Sequence, residues 1–271
     1  MAVPVLMNTQ TINSTLKAFI FDVDGTLSDT ERDGHRVAFN RAFEEYKLDW
    51  HWDIDTYGEL LAVTGGKERM KYYADKFLDQ DKLPENLEAL IPELHQAKTR
   101  HYTDLLATGA IPLRPGVERL INEARQRGFR LAIATTTTPE NVTALLTHTL
   151  GADSIGWFEV IAAGDIVPAK KPAPDIYDYA LKTMNLTADE CIAFEDSANG
   201  IKSSAGANLN TIITTNDYTR DHDFTNASIV LKQMGEPDQP FNVIAGNANG
   251  ATYLDCDLVI KLHQQSTAMH D

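Results

Sequence analysis

The chain is short of cysteine and of positive charge, and it has no long apolar run. Two cysteines, Cys191 and Cys256, among 271 residues are too few and too far apart for a disulfide framework or a zinc site. Cys191 opens an apolar run and reads as an inert core residue, which is compatible with a reducing cytosol. No stretch reaches the length of a transmembrane helix. The start, MAVPVLMNTQTINST, lacks the basic n-region and the apolar h-region of a secretory signal. It reads as a loose tail, and a cytoplasmic protein is expected. With 24 lysines and arginines against 39 acids, the net charge is -15, which argues against nucleic acid or anionic membrane as a partner. A phosphate-bearing ligand would need the few cations gathered in one place.

What is present is ordinary for a globular protein. At 43% hydrophobic residues the chain can bury a full core, as one large domain or two small ones. Its most informative stretch is Lys17 to Asp29, KAFIFDVDGTLSD. The apolar run Ala18-Phe19-Ile20-Phe21 predicts a buried strand of a parallel sheet. Asp22 and Asp24 then fall at its carboxyl end, where open α/β sheets place ligands. Alternation puts both carboxylates on one side. Two carboxylates that close repel, so a proton or a cation must lie between them. Gly25 lets the backbone leave sharply. Asp-Val-Asp-Gly is also a common turn composition, so the reading depends on what the other strand ends bring.

From Thr30 to Lys47 apolar residues recur at helical spacing, with Asp29 or Thr30 as N-cap and Gly34 marking a bend or a close approach. Further helices are expected over 54–62, 68–78 and 87–107. The loop Gly65-Gly66-Lys67 before the second of these would favour an anion at a helix start, or would simply be a connection. No strand signal lies between Thr30 and Gly109, so an all-helical cap is expected over 30–111. The core then comprises 1–29 and 112–271, with Pro115-Gly116 at the return. Beyond it helices alternate with strands at 130–134, 160–163, 191–194 and 211–214. The fold class is therefore α/β, a doubly wound parallel sheet with an inserted helical cap. Residues 228–231 read as an edge strand, 235–251 as loop, and 254–264 as a terminal helix.

Three further strand ends deliver polar groups. Thr135 to Thr138 follow RLAIA, with hydroxyls and amides suited to phosphate oxygens; Thr138 before Pro139 would serve equally as a helix cap. Lys170-Lys171-Pro172 holds lysines in a proline-bound loop, Lys170 reading as solvent-exposed. Glu195-Asp196-Ser197 sets adjacent acids at a strand end, where a cation would relieve their repulsion, or where they would favour a helix dipole.

Together FDVDGTLSDT, the Thr135 strand end, the order Lys-Pro-x-Pro-Asp from Lys171 to Asp175, and Glu195-Asp196 resemble the four motifs of the haloacid dehalogenase superfamily. The resemblance implies a Rossmannoid core and a phosphatase working through an aspartyl-phosphate. It makes Asp22 the nucleophile and Asp24 the acid/base. Thr135, Thr136 and Lys171 become phosphate-binding, and Mg²⁺ is the expected cofactor on Asp22, Asp24, Glu195 and Asp196. Within the superfamily, residues 33–40 with Thr64 to Arg69 resemble the CbbY branch, xylulose-1,5-bisphosphate phosphatases. That adds Glu31, His35, Arg36, Thr64, Gly65, Gly66, Lys67, Arg69, His95 and Lys98 as expected substrate contacts. The cap's cations would meet the second phosphate, with Lys67 reading it most directly. His95 and Lys98, one turn apart, would also make an ordinary exposed helix face. A small phosphorylated sugar is the expected partner, and a monomer the expected state. The alternatives are a β-phosphoglucomutase-like mutase, which shares all four motifs, a phosphoglycolate or other small sugar-phosphate phosphatase, and a catalytically idle binding protein on the same fold.

Overall fold

The run Ala18–Phe21 forms β1, with every residue buried. The computed structural model describes residues 15–267; apart from Thr15, the N-terminal tail lies outside the described residues. Six strands follow: β2 (Arg130–Thr135), β3 (Val160–Ala163), β4 (Cys191–Glu195), β5 (Asn210–Thr214), β6 (Ile229–Leu231) and β7 (Val243–Gly246). The order is β3-β2-β1-β4-β5-β6-β7. β1 to β6 are parallel, and β7 runs antiparallel to β6. Phe21 lies opposite both Ile133 and Phe194, so the carboxyl ends of the three central strands stand level. Polar residues just past them must meet.

Alternation divides β1 between two cores. Phe19 and Phe21 pack with α5 (Val117–Gln126), α6 (Pro139–Leu150) and α9 (Cys256–Thr267). Ala18 and Ile20 pack with α7 (Asp175–Met184). α8 (Ala198–Gly206) begins at Ser197, whose hydroxyl accepts the Gly200 amide at 3.1 Å. Helices on both faces make the sheet doubly wound, as expected. Two expectations for the tail fail. β6 is not an edge, and 235–251 contains a strand. All four residues of β7 are exposed, so it carries neither a buried run nor an alternating one. No helix among the described residues is long and apolar enough to cross a membrane.

Every described element between β1 and α5 is helical: α1 (Arg36–Glu45), α2 (Ile54–Leu60), α3 (Gly66–Phe77) and α4 (Leu87–Ala107), with a π-helical turn at Glu31–His35 and a 3₁₀ turn at Gln80–Lys82. These helices share a core of their own, centred on Phe39, Phe43, Trp52, Tyr57 and Leu94. Trp52 sits in the break between helices and is nonetheless buried, its main chain paired with the Asn40 amide at 2.8 Å in both directions. Gly34 marks the close approach its position suggested. A side chain there would meet Ile111 at 2.7 Å and the Tyr102 ring at 3.0 Å. Thr30 stands at the N-cap position of the turn at Glu31–His35 but makes no capping bond there, because its hydroxyl goes to Asp24 instead. The two crossings between sheet and cap run side by side, Ser28 pairing antiparallel with Leu113 and the Arg114 amide donating to Leu27 at 2.8 Å. The buried Arg114 guanidinium donates to the carbonyls of Gly25, Thr215 and Lys232 and pairs with Asp29. One arginine thereby ties the hinge to three strand ends.

Candidate active site

Past Phe21 the chain leaves the regular strand, and the two aspartates turn apart. The Asp22 amide donates to Phe194 at 3.0 Å, which keeps its backbone in register with β4. Lys171 Nζ reaches in from the loop after β3 and donates to Asp22 Oδ1 at 2.7 Å, Glu195 Oε1 at 2.5 Å and the Ala134 carbonyl at 2.9 Å. The Tyr177 hydroxyl donates to the same Glu195 oxygen at 2.5 Å. Asn216 Nδ2, from the loop after β5, donates to Asp196 Oδ2 at 2.7 Å. Gly25, at φ 84°, leaves the Asp196 carboxylate its room.

Asp22, Glu195 and Asp196 are all buried, and each offers an oxygen within 4.8 Å of the others. Burial is the chief influence on the Asp22 and Asp196 carboxyls. It pushes Asp22 up to about 7 against the pull of Lys171, with Glu195 adding to the rise. Burial, then Asp22 and Glu195, push Asp196 well above the carboxylate range. Burial would make Lys171 less basic, but Asp22 and Glu195 outweigh it and hold its ammonium more firmly than usual. Fully ionised, three carboxylates with one ammonium leave a charge of -2, which one divalent cation would neutralise. The donor set is all oxygen, as Mg²⁺ requires. Three oxygens are committed: Asp22 Oδ1 to Lys171, Glu195 Oε1 to Lys171 and Tyr177, and Asp196 Oδ2 to Asn216.

The Asp24 carboxylate is not in that cluster, contrary to the expectation that both aspartates aim at one point. Its Oδ1 takes the Thr30 hydroxyl at 2.6 Å and His35 Nε2 at 2.7 Å. Lys98 Nζ donates to His35 Nδ1 at 2.8 Å. Because an ammonium can only donate, Nδ1 accepts and Nε2 carries the hydrogen given to Asp24. Burial would raise the Asp24 carboxyl, but His35, the Thr30 hydroxyl and Lys98 outweigh it and hold it well below the usual range. His35 stacks on Tyr102 with ring centres 4.0 Å apart, and burial brings Lys98 down to about 8. Lys98 is therefore buried and paired with His35, and does not form an exposed face.

A cleft of about 250 Å³ lies over these groups, floored by Asp22, Asp24, Thr135, Thr136, Lys171, Glu195 and Asp196 and roofed by Glu31, Leu61, Thr64 and Arg69 of the cap. Arg69 is buried. It donates to the Tyr57 hydroxyl at 2.9 Å and to Leu60 at 3.2 Å, with Glu31 3.9 Å away. Thr64 accepts from Asn199 Nδ2 at 3.0 Å, a contact from α8 to the cap. Thr135 is buried at the β2 end, and Thr138 accepts the Asn141 amide at 3.4 Å as the cap of α6.

Other expected contacts fall elsewhere. Lys67 pairs with Asp165 at 2.5 Å, and Lys170 with Asp165 at 3.0 Å and Glu68 at 2.9 Å. They form a charged clasp between α3 and the lysine loop and lie outside the main cleft. Arg36 donates to the carbonyls of Arg32 and Trp52 and does not line the cleft. Gly65, Gly66 and His95 line a side recess instead. Three groups with no motif to announce them complete the site, Tyr177, Asn199 and Asn216, together with Thr30, the last residue of the first motif, whose contact with Asp24 the motif alone does not show. Each is a single polar residue whose partner is distant in sequence or set by a turn.

A buried carboxylate bound to a lysine, acids able to share a cation, and a threonine strand end under a helical cap define a phosphohydrolase. The chain belongs to the haloacid dehalogenase-like hydrolase family, whose model matches residues 16–208, and it is a phosphatase. It is 45% identical over 225 residues to the plasmid-borne protein CbbY of Cupriavidus necator, covering 83% of this chain and 88% of that protein. A crystal structure of a CbbY mutant from Rhodobacter sphaeroides in complex with xylulose-1,5-bisphosphate is 43% identical, with a TM-score of 0.75 over 80% of this chain and 94% of that one. The phosphorylated carbohydrates phosphatase of Thermotoga maritima is 26% identical over 233 residues, 84% of this chain and 98% of that protein.

Proposed function

We propose that the protein hydrolyses a sugar bisphosphate, xylulose-1,5-bisphosphate, to xylulose-5-phosphate and inorganic phosphate. The observation that carries this is the joining of the Asp22–Lys171 pair and the cap's buried Arg69 in one cleft. The likeness to a CbbY structure holding that bisphosphate supports it. The division into a core of 1–29 and 112–271 and a cap of 30–111 belongs to the same proposal.

Asp22 and Asp196, with the main-chain carbonyl of Asp24, would hold Mg²⁺. When bound, the ion shields the carboxylate from the phosphate and stabilises charge on the phosphoryl oxygens. Asp22 attacks phosphorus; the bond from phosphorus to the sugar oxygen breaks, and that oxygen takes a proton by way of Asp24, which is itself ionised beforehand. The chain Lys98–His35–Asp24 can supply that proton through its connected hydrogen bonds. Water then attacks the phosphoryl group, Asp24 accepts its proton, and phosphate leaves Asp22 free. Lys171 and the Thr135 strand end hold the non-bridging oxygens throughout.

The test is phosphate release with Mg²⁺ from xylulose-1,5-bisphosphate, ribulose-1,5-bisphosphate, β-glucose-1-phosphate and phosphoglycolate. Clear preference for the xylulose bisphosphate is expected. Slow release from all four, with glucose-6-phosphate formed when a bisphosphate primer is added, would replace the reading with a mutase. Two outcomes accompany it. Mg²⁺ at a hundred times its Kd is expected to stabilise the protein by about 2.7 kcal/mol, read as a rise in Tm that EDTA reverses. Asp196→Ala should abolish that rise, and an equal rise in the variant would place the ion elsewhere. Arg69→Ala should lower kcat/KM for the bisphosphate about 10- to 150-fold, the worth of a charged hydrogen bond, and much less for an aryl phosphate. Equal losses on the two substrates would mean that Arg69 only supports the cap.

A further inference from the structure

Beside the main cleft, and sharing Asp24, Glu31, Arg69 and Thr136 with it, lies a narrow recess of about 40 Å³. One wall is the start of α3 at Gly65 and Gly66, where no side chain caps the helix. The opposite wall is the first turn of α6, and there stands Asn141. Asn141 is 2% exposed. Its Nδ2 donates to Thr137 Oγ1 at 2.9 Å, and that bond turns Oδ1 away. Oδ1 is buried and has no hydrogen-bond partner.

A buried amide oxygen left without a donor costs free energy that a partner restores. We propose that Asn141 is a specificity residue. Its Oδ1 accepts a hydroxyl from the carbon chain of the substrate, so that the recess selects polyhydroxylated phosphate esters over plain alkyl ones. A phosphate does not suit this position, because its oxygens would face the Asn141 oxygen lone pair to lone pair. The nearest ammonium, Lys98, is already matched with His35 and through it with Asp24. His95, on the same recess, is uncharged at neutral pH: burial first, then Lys98, Lys67 and Lys170, lower it to about 3. The residues just before Asn141 that also line the recess, Thr136, Thr137 and Thr138, are neutral hydroxyls, which fits an alcohol. The inference rests on the sugar-phosphate reading and adds to it which atom reads the sugar.

The test compares kcat/KM on two pairs of substrates. One is xylulose-1,5-bisphosphate with pentane-1,5-diol bisphosphate, the other erythritol 4-phosphate with butyl phosphate. The wild-type enzyme should favour the hydroxylated member about 10- to 100-fold, and Asn141→Ala or Asn141→Leu should remove most of that ratio. Thermal melting reports whether the variants fold. If neither does, the wild-type ratio decides alone, and a ratio near one overturns the proposal. An undiminished ratio in a folded variant overturns it too. Negligible turnover of the first pair, with the Asn141-dependent ratio intact in the second, would sink the bisphosphate reading and leave the hydroxyl site standing.

Discussion

Asp22→Asn is expected to reduce phosphate release by about 10⁴-fold or more while leaving a folded protein. The amide cannot attack phosphorus, and removal of a covalent nucleophile costs more than loss of any single binding contact. Stability should change little, because two effects oppose each other. The variant keeps an amide oxygen to accept from Lys171 but loses the charge that makes the 2.7 Å contact an ion pair, and it also relieves the crowding of three buried carboxylates. Steady-state phosphate release and a melting curve on the same preparation suffice. Turnover within tenfold of wild type would remove Asp22 from the nucleophile's role, whatever the melting curve shows.

Lys171→Met should damage both activity and stability. Its ammonium is the cation touching both Asp22 and Glu195, and its stem is buried with them. Taking away one partner of a buried ion pair leaves uncompensated charge, at a cost of about 3–5 kcal/mol. The melting temperature should fall accordingly, and Mg²⁺ should recover part of it by supplying positive charge to the same acids. Activity should not recover, because nothing replaces the donor to the phosphoryl oxygens. A variant as stable as wild type without added Mg²⁺ would mean that the acids are already protonated, and that Lys171 neutralises nothing.

Much of this was legible from the chain alone, for definite reasons. β1 is buried on both faces, so its apolar run stands out, and the level strand ends bring Asp22, Thr135, Lys171 and Glu195-Asp196 together. The failures have equally definite causes. The period-two rule was carried past Phe21, where the strand stops, and so it sent Asp24 to the wrong partner. Lys67 and Arg69 were both expected at the substrate, yet residues two apart on a helix point to different sides. α3 gives Arg69 to the cleft and Lys67 to Asp165. β7 left no trace because none of its residues is buried. Asn141, Asn199 and Asn216 are short polar side chains inside or beside ordinary helices and turns, and only their three-dimensional partners reveal them.

The paired crossings at Ser28 and Leu113 have a mechanical consequence. Two separate linkers would let the cap swing in several directions. A hydrogen-bonded ribbon resists bending in its own plane, and Arg114 clamps its base to the carbonyls of Gly25, Thr215 and Lys232. The cap is left essentially one soft coordinate, flexing out of the ribbon's plane. One arm of that ribbon begins four residues after Asp24, so displacement along the coordinate pulls directly on the backbone that carries it.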